Sequence, residues 1–194
     1  MSKTYNFFAY LGRMKYIKRW SLMKSTQEEN ILEHSAMVAQ ISHALAIIAK
    51  NIFGKDVDVD KCSTLAIYHD CSEVITGDLP TPIKYFNEDI KKAYKSLEGV
   101  ASNKLLQMLP EELKPEMQAN LFPDKNSIEY EIVKSADRIA AYLKCVEEVK
   151  FGNREFSKAL KSNKALIDKI KSEEVKYFMQ VFAPSYDLTL DELE

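Results

Sequence analysis

Tyr68-His69-Asp70-Cys71-Ser72-Glu73 is the stretch on which the fold turns. An imidazole and a carboxylate stand side by side, and a second carboxylate follows three residues after the first. Leu65-Ala66-Ile67 precedes the stretch and Val74-Ile75 follows it, so the whole reads as a helix of the apolar interior. Positions three and four apart share a helix face. Glu73 is therefore expected to stack over Asp70 and His69, with all three addressing one cavity. Such polar neighbours are costly in a buried helix unless something pairs them. A divalent cation would do so, and its remaining ligands must come from elsewhere in the chain.

Outward from this helix, expected over about 60–76, the punctuation is clear. Asp56-Val57-Asp58-Val59-Asp60 is a short connection with a capping carboxylate, and Gly77 is placed to end the helix. Asp78-Leu79-Pro80-Thr81-Pro82 is a stiff turn, because proline fixes φ and lacks a donor. Thr81 and Pro82 are expected as N-cap and first residue of a further segment. Upstream, Phe7, Phe8, Leu11, Met14 and Ile17 give a helix over 4–17 that ends near Lys18-Arg19-Trp20. Residues 21–30 are polar and read as loop. A helix from about 30–33 to 52 buries Val38, Ile41, Leu45 and Ile48 and stops at Gly54. Downstream, helices are expected over 88–109, over 111–121 with a break near Pro115, and from Ser127 to Phe151. Two more follow over 154–171 and 173–182. The tail after Pro184 is acidic and expected to be mobile. No strand-like alternation, repeat or low-complexity linker is present. The expectation is one all-α domain over 1–194, with a core of about 4–182 and seven or eight helices.

Composition narrows the function. The 194 residues suffice for one sizeable core; 46% are apolar and 29% charged, an ordinary globular balance. A net charge of -2 carries no basic footprint, so no nucleic-acid polymer is expected as partner. Apolar runs such as Ala44–Ala49 are too short to cross a bilayer, so no membrane is expected. The N-terminal Met1-Ser2-Lys3-Thr4-Tyr5-Asn6 lacks a signal-peptide pattern. Cys62, Cys71 and Cys145 form an odd, unpatterned set that fits a reducing cytoplasm, and Cys71 is expected to pack in the core.

Three histidines are available: His34, His43 and His69. The other carboxylate set among apolar helix residues is Asp137, between Val133, Ala136, Ile139 and Ala140. Taken singly, His34 reads as a capped or packed residue, and Asp137 as a partner of Lys134 or Arg138. Taken with His69-Asp70, they make two imidazoles and two carboxylates from three helices. That mix suits a borderline transition metal and leaves positions open for water and a substrate oxygen. His43 lies nine positions after His34, about two and a half turns, and faces elsewhere. Arg19-Trp20 alone reads as an ordinary helix end, and Tyr142 and Lys144 as packing and surface residues.

His34 … His69-Asp70 … Asp137 resembles the H…HD…D signature of HD-domain metal phosphohydrolases. The likeness is closer than that superfamily. Phe7–Leu11, Arg19-Trp20, Glu33-His34-Ser35, Tyr68 through Pro82, Ala141–Cys145 and Pro184-Ser185 are similar to the bacterial HD-domain 5′-deoxynucleotidases of the YfbR type. Residues 116–130, with Phe122-Pro123, depart from that pattern. The resemblance implies one divalent metal, Co²⁺ or Mn²⁺, held by His34, His69, Asp70 and Asp137. It implies Glu73 as the residue that orients and deprotonates water, and Arg19 as the grip on a 5′-phosphate. Trp20 would pack near the sugar and exclude a 2′-hydroxyl. Asp78, Leu79, Pro80 and Thr81 would wall the sugar, with Asp78 on the 3′-hydroxyl. The implied substrate is a 2′-deoxyribonucleoside 5′-monophosphate of any base, and the implied assembly a homodimer. An HD phosphohydrolase for another nucleotide, or a non-catalytic metal- or nucleotide-binding module, remains the alternative.

Overall fold

Asn30 starts the helix around which the others pack. In the computed structural model, which describes residues 4–194, the Asn30 side chain accepts from the Glu33 backbone, and Glu33 accepts in return from the Asn30 backbone. This reciprocal cap opens a helix over Ile31–Asn51. Residues Met1, Ser2 and Lys3, part of the stretch read for a leader, lie outside the described residues. Replacing the cap, Asn30→Ala, is expected to cost about 1 kcal/mol, seen as a drop of roughly 3 °C in Tm.

In chain order the helices are α1 (Phe7–Leu11), α2 (Ile31–Asn51), α3 (Val59–Tyr68), α4 (Glu73–Thr76), α5 (Thr81–Lys84), α6 (Glu88–Leu106), α7 (Lys114–Leu121), α8 (Ile128–Lys150), α9 (Ser157–Ile167) and α10 (Glu173–Val181). Among the described residues there is no strand, only an isolated antiparallel bridge between Lys18 and Asn30. The all-α expectation holds. There are more pieces than expected because α4 and α5 are single turns.

Two apolar clusters divide the interior. The first joins α2 (Val38, Ile41, Leu45, Ile48), α3 (Cys62, Leu65, Ala66), α8 (Ile132, Val133, Ala136, Ile139, Ala140, Leu143) and α10 (Val175, Phe178). The α2 residues are those the helical period singles out. The second gathers Phe7, Met14, Ile31, Cys71, Leu105, Leu106, Leu109 and Leu121. Ile31 belongs to the second cluster and Val38 to the first, so His34 lies on α2 at the seam. Leu65 and Cys71 bracket His69 and Asp70 in the same way. By length and mean hydropathy α2 could cross a membrane, but half of its apolar window is buried by the rest of the fold.

Several boundaries differ from expectation. The helix expected over 60–76 breaks after Tyr68. The His69 ring bonds the Ala66 carbonyl at 2.7 Å, an oxygen the next helical turn would otherwise use. Beyond it the backbone bonds three residues back, from Cys71 to Tyr68, Glu73 to Asp70 and Val74 to Cys71. Such tight turns bring side chains three apart into eclipse, so Asp70 and Glu73 stay on one side. The 111–121 segment does divide near Pro115, into a 3₁₀ turn over Glu111–Leu113 and α7, and Pro115 sits in the first turn of α7, where its missing donor costs nothing. Thr81 lies inside α5 behind Pro80 and is not its cap. The segment 4–17 is interrupted at Gly12-Arg13 before a 3₁₀ turn over Met14–Tyr16, and 154–171 shortens to a 3₁₀ turn plus α9. Residues after Val181 form 3₁₀ turns over Ala183–Asp187 and Leu190–Glu192.

Candidate functional site

His34 lies in the first turn of α2, fully buried. Its Nε2 is 3.1 Å from Oδ1 of Asp137 on α8 and 3.7 Å from Oδ2 of Asp70. His69 Nε2 is 3.1 Å from that same Asp70 oxygen. Three distant stretches of chain thus place two imidazoles and two carboxylates around one point. His34, His69 and Asp70 offer ligand atoms all within 4.8 Å of one another. Asp137 stands at the rim of that group, with Oδ2 held by Lys134 at 2.8 Å.

The ring chemistry fits a cation. His69 donates from Nδ1 to the Ala66 carbonyl, which leaves the lone pair of Nε2 facing the cluster. That nitrogen is buried with no hydrogen-bond partner, as are His34 Nδ1 and Glu73 Oε2. Orphaned buried atoms of this kind are rare. The donor set of imidazole nitrogens and carboxylate oxygens, free of thiolates, suits a borderline divalent metal.

The charges are strongly perturbed. Burial works against ionisation of Asp70, but positive charge 3.1 Å away, that of the His69 ring when protonated in place of a bound cation, outweighs it and holds the carboxyl below its usual range. Burial also opposes Asp137, and Lys134 and His34 hold it well below normal. Burial, then the charges of Asp70 and Asp78, push Glu73 up to about 9, against the opposing pull of Arg19 and Lys84. Burial raises Asp78 as well, with Arg19 and Asp70 the strongest charges acting on it. Burial pushes the Cys71 thiol up to about 12, so it stays an un-ionised core residue.

Arg19 points Nη1 at Asp70, 3.5 Å away, and Nε at Glu29, 3.1 Å away. Trp20 donates its indole N–H to the same Glu29 oxygen at 2.9 Å and packs at a tilt against Phe156. Leu79 and Pro80 are half-buried and Thr81 is exposed; among the described residues no hydrogen bond joins these three to the cluster. His43 is exposed. Lys134 stands between two cavities: one of about 80 Å³ beside His69 and Pro123, and one of about 590 Å³ lined by Lys55, Arg138 and Lys171.

Sequence reasoning missed several residues. Glu29 sits in what reads as a featureless polar loop, and no periodicity marks it. Lys84 faces Glu73 electrostatically and bonds Glu98 at 2.9 Å. Lys144, expected at the surface, is buried. It bonds Glu148 at 2.7 Å and the Gln27 carbonyl at 2.6 Å. Glu148 in turn accepts from Thr26 N, Thr26 Oγ1, Gln27 N and Asn153 Nδ2, and so clamps the loop before α2 onto α8. The spacing of Lys144 and Glu148, one helical turn, was the available signal.

Comparison with known proteins points to one family. The family described as 5′-deoxynucleotidase YfbR-like matches residues 6–186. A 5′-deoxynucleotidase of Vibrio cholerae is 51% identical over 193 residues, 97% of each chain. The 5′-deoxynucleotidase YfbR of Escherichia coli O127:H6 is 47% identical over 195 residues, covering 98% of this chain and 96% of that protein. In fold, the chain is similar to an HD-domain phosphohydrolase from Listeria innocua, with a TM-score of 0.81 at 24% identity over 93% of this chain and 88% of that one. It is also similar to the cyanophage S-2L HD phosphohydrolase DatZ, solved bound to dA and one catalytic Zn²⁺ ion. There the TM-score is 0.62 at 20% identity, over 95% of this chain and 98% of that one. The chain belongs to the 5′-deoxynucleotidase YfbR-like family.

Proposed function

We propose that the protein is a metal-dependent 5′-deoxynucleotidase. It hydrolyses 2′-deoxyribonucleoside 5′-monophosphates to deoxynucleoside and phosphate, accepts any base, and selects against ribonucleotides. The observation that carries this reading is the convergence of His34, His69 and Asp70 beside a buried carboxylate, Glu73, that is bonded to none of them. Family membership supplies the substrate class.

His34, His69, Asp70 and Asp137 hold the cation, Co²⁺ or Mn²⁺. When bound, it supplies positive charge that polarises the phosphoryl group and makes water more acidic. Glu73 takes the proton of the attacking water. Its buried position raises its basicity, and each positive charge in the site lowers it again toward neutrality, the range a general base needs. Arg19 grips the phosphate through the face of its fork not used by Glu29. Trp20 and the turn Asp78-Leu79-Pro80-Thr81 line the sugar, with Asp78 on the 3′-hydroxyl. The protein works in the cytoplasm as a homodimer. Three buried free thiols support the compartment, and the exposed apolar side chains Ile83, Tyr85, Phe86 and Val100 of the α5–α6 region support the assembly.

The test is a matrix of metals against nucleotides. With Co²⁺ or Mn²⁺, phosphate is released from dAMP and dTMP and little from AMP; chelation stops release and re-addition restores it. Equal cleavage of AMP would remove the assigned role of Trp20. No release from any deoxynucleotide, with turnover of a cyclic or pyrophosphorylated nucleotide instead, would overturn the reading.

A further inference from the structure

Glu29 collects two donors on one atom. Its Oε2 accepts from Arg19 Nε at 3.1 Å and from Trp20 Nε1 at 2.9 Å. The Arg19 and Glu29 side chains are only 13% and 14% exposed, so water competes little for these charge-assisted bonds. The main chain joins them as well: the Arg19 N–H donates to the Glu29 carbonyl at 2.9 Å, next to the Lys18–Asn30 bridge.

Trp20 needs such a partner. Its φ of 59° makes it the one described non-glycine residue in the left-handed region. A bulky side chain persists there only when its surroundings hold it. The holding groups are Glu29 at the indole N–H, Phe156 against the ring at 5.2 Å, and the Met23 N–H on the Trp20 carbonyl at 2.8 Å. Arg19 meanwhile directs Nη1 toward Asp70.

We propose that Glu29 is the positioning residue that sets the direction of both Arg19 and Trp20, and through them the grip on substrate phosphate and the discrimination at the sugar 2′ position. This rests on the nucleotidase reading given above. Glu29 does not touch the reacting atoms; it acts through the two side chains it aims, while its other oxygen, Oε1, lies 3.9 Å from His34 Nδ1, beyond hydrogen-bond reach.

The test uses the full chain at saturating Co²⁺ or Mn²⁺. The protein has a single tryptophan, so its emission reports Trp20 directly. In Glu29→Ala the emission shifts to the red and becomes more open to acrylamide quenching. KM for dAMP rises about tenfold or more, kcat changes less than about threefold, and the preference for dAMP over AMP falls. Wild-type emission, quenching, KM and preference in this variant would overturn the proposal. Should Glu29→Ala fail to fold, Glu29→Asp carries the test. It keeps the charge but withdraws the oxygen by one methylene, so the same changes are expected at smaller size, and wild-type values there overturn the proposal equally. If the wild-type protein cleaves no deoxynucleotide, the nucleotidase reading fails. The emission of the two variants and their affinity for inorganic phosphate then decide the role of Glu29.

Discussion

Glu73→Gln lowers phosphate release from dAMP by about a thousandfold, within the range lost when a general base is removed, while metal binding stays at the wild-type level. Glutamine keeps the volume of the side chain but cannot take a proton. Glu73 is only 5% exposed, and its Oε2 has no hydrogen-bond partner, so the amide breaks no existing bond there. The fold should therefore tolerate the change, with Tm within a few degrees of wild type. His34, His69, Asp70 and Asp137 are untouched, and titration of the metal-free variant with Co²⁺ should show one site of ordinary affinity. Retention of more than a tenth of the activity would remove Glu73 from its assigned role. Loss of the metal together with the activity would make it a ligand instead.

The second large effect is on stability. Glu148→Ala is expected to destabilise the protein by about 3–5 kcal/mol, the cost of breaking a buried ion pair from one side. Tm falls by about 10 °C. The Lys144 ammonium would keep only the Gln27 carbonyl and a distant Glu147, the donors of Thr26 and the Gln27 N–H would lose their acceptor, and Asn153 Nδ2 would keep only the Lys24 carbonyl. Replacing both partners, Lys144→Met with Glu148→Leu, should recover part of the loss, because no charge is then left buried alone. A double variant less stable than Glu148→Ala would refute this account. The pair also sets an acid limit. Burial alone would raise Glu148, but the hydrogen bonds of Lys144, Thr26 and Asn153 lower it from 4.5 to about 2. A depressed folded value means the carboxylate contributes fully above about pH 4.5 and its contribution fades as pH falls toward 2. The contribution is about 3 kcal/mol. Unfolding of wild type and Glu148→Gln, followed from pH 6 to pH 2, should converge across that window.

What the chain disclosed in advance depended on how local the signal was. The buried face of α2, with Val38, Ile41, Leu45 and Ile48, repeats at helical spacing and so could be read directly. His69, Asp70 and Asp137 stood out as polar residues in apolar stretches and His34 as one of three histidines, although nothing local says that they meet. The break after Tyr68 was hidden because it depends on one ring reaching one carbonyl, which competes with the helix without changing the residue pattern. The division near Pro115 was legible because proline suits the first turn of a helix and not its interior. Glu29 and Lys144 were missed for a shared reason. A loop carboxylate and a helix lysine each look solvated until the partner arrives, and for Lys144 one partner is the Gln27 carbonyl, more than a hundred residues away.

Asp137 and Glu148 ride on one uninterrupted helix, three turns or about 16 Å apart. Midway along this rod Asp137 meets the His–Asp cluster, and near its C-terminal end Glu148 fastens the segment that carries Arg19 and Trp20. The two halves of the site, the His–Asp cluster and the Arg19–Trp20 segment, are therefore tied by a shared strut as well as by the 3.5 Å contact of Arg19 with Asp70. On slow heating, catalysis and α-helical circular dichroism should disappear together, since neither half can wander before the strut itself melts.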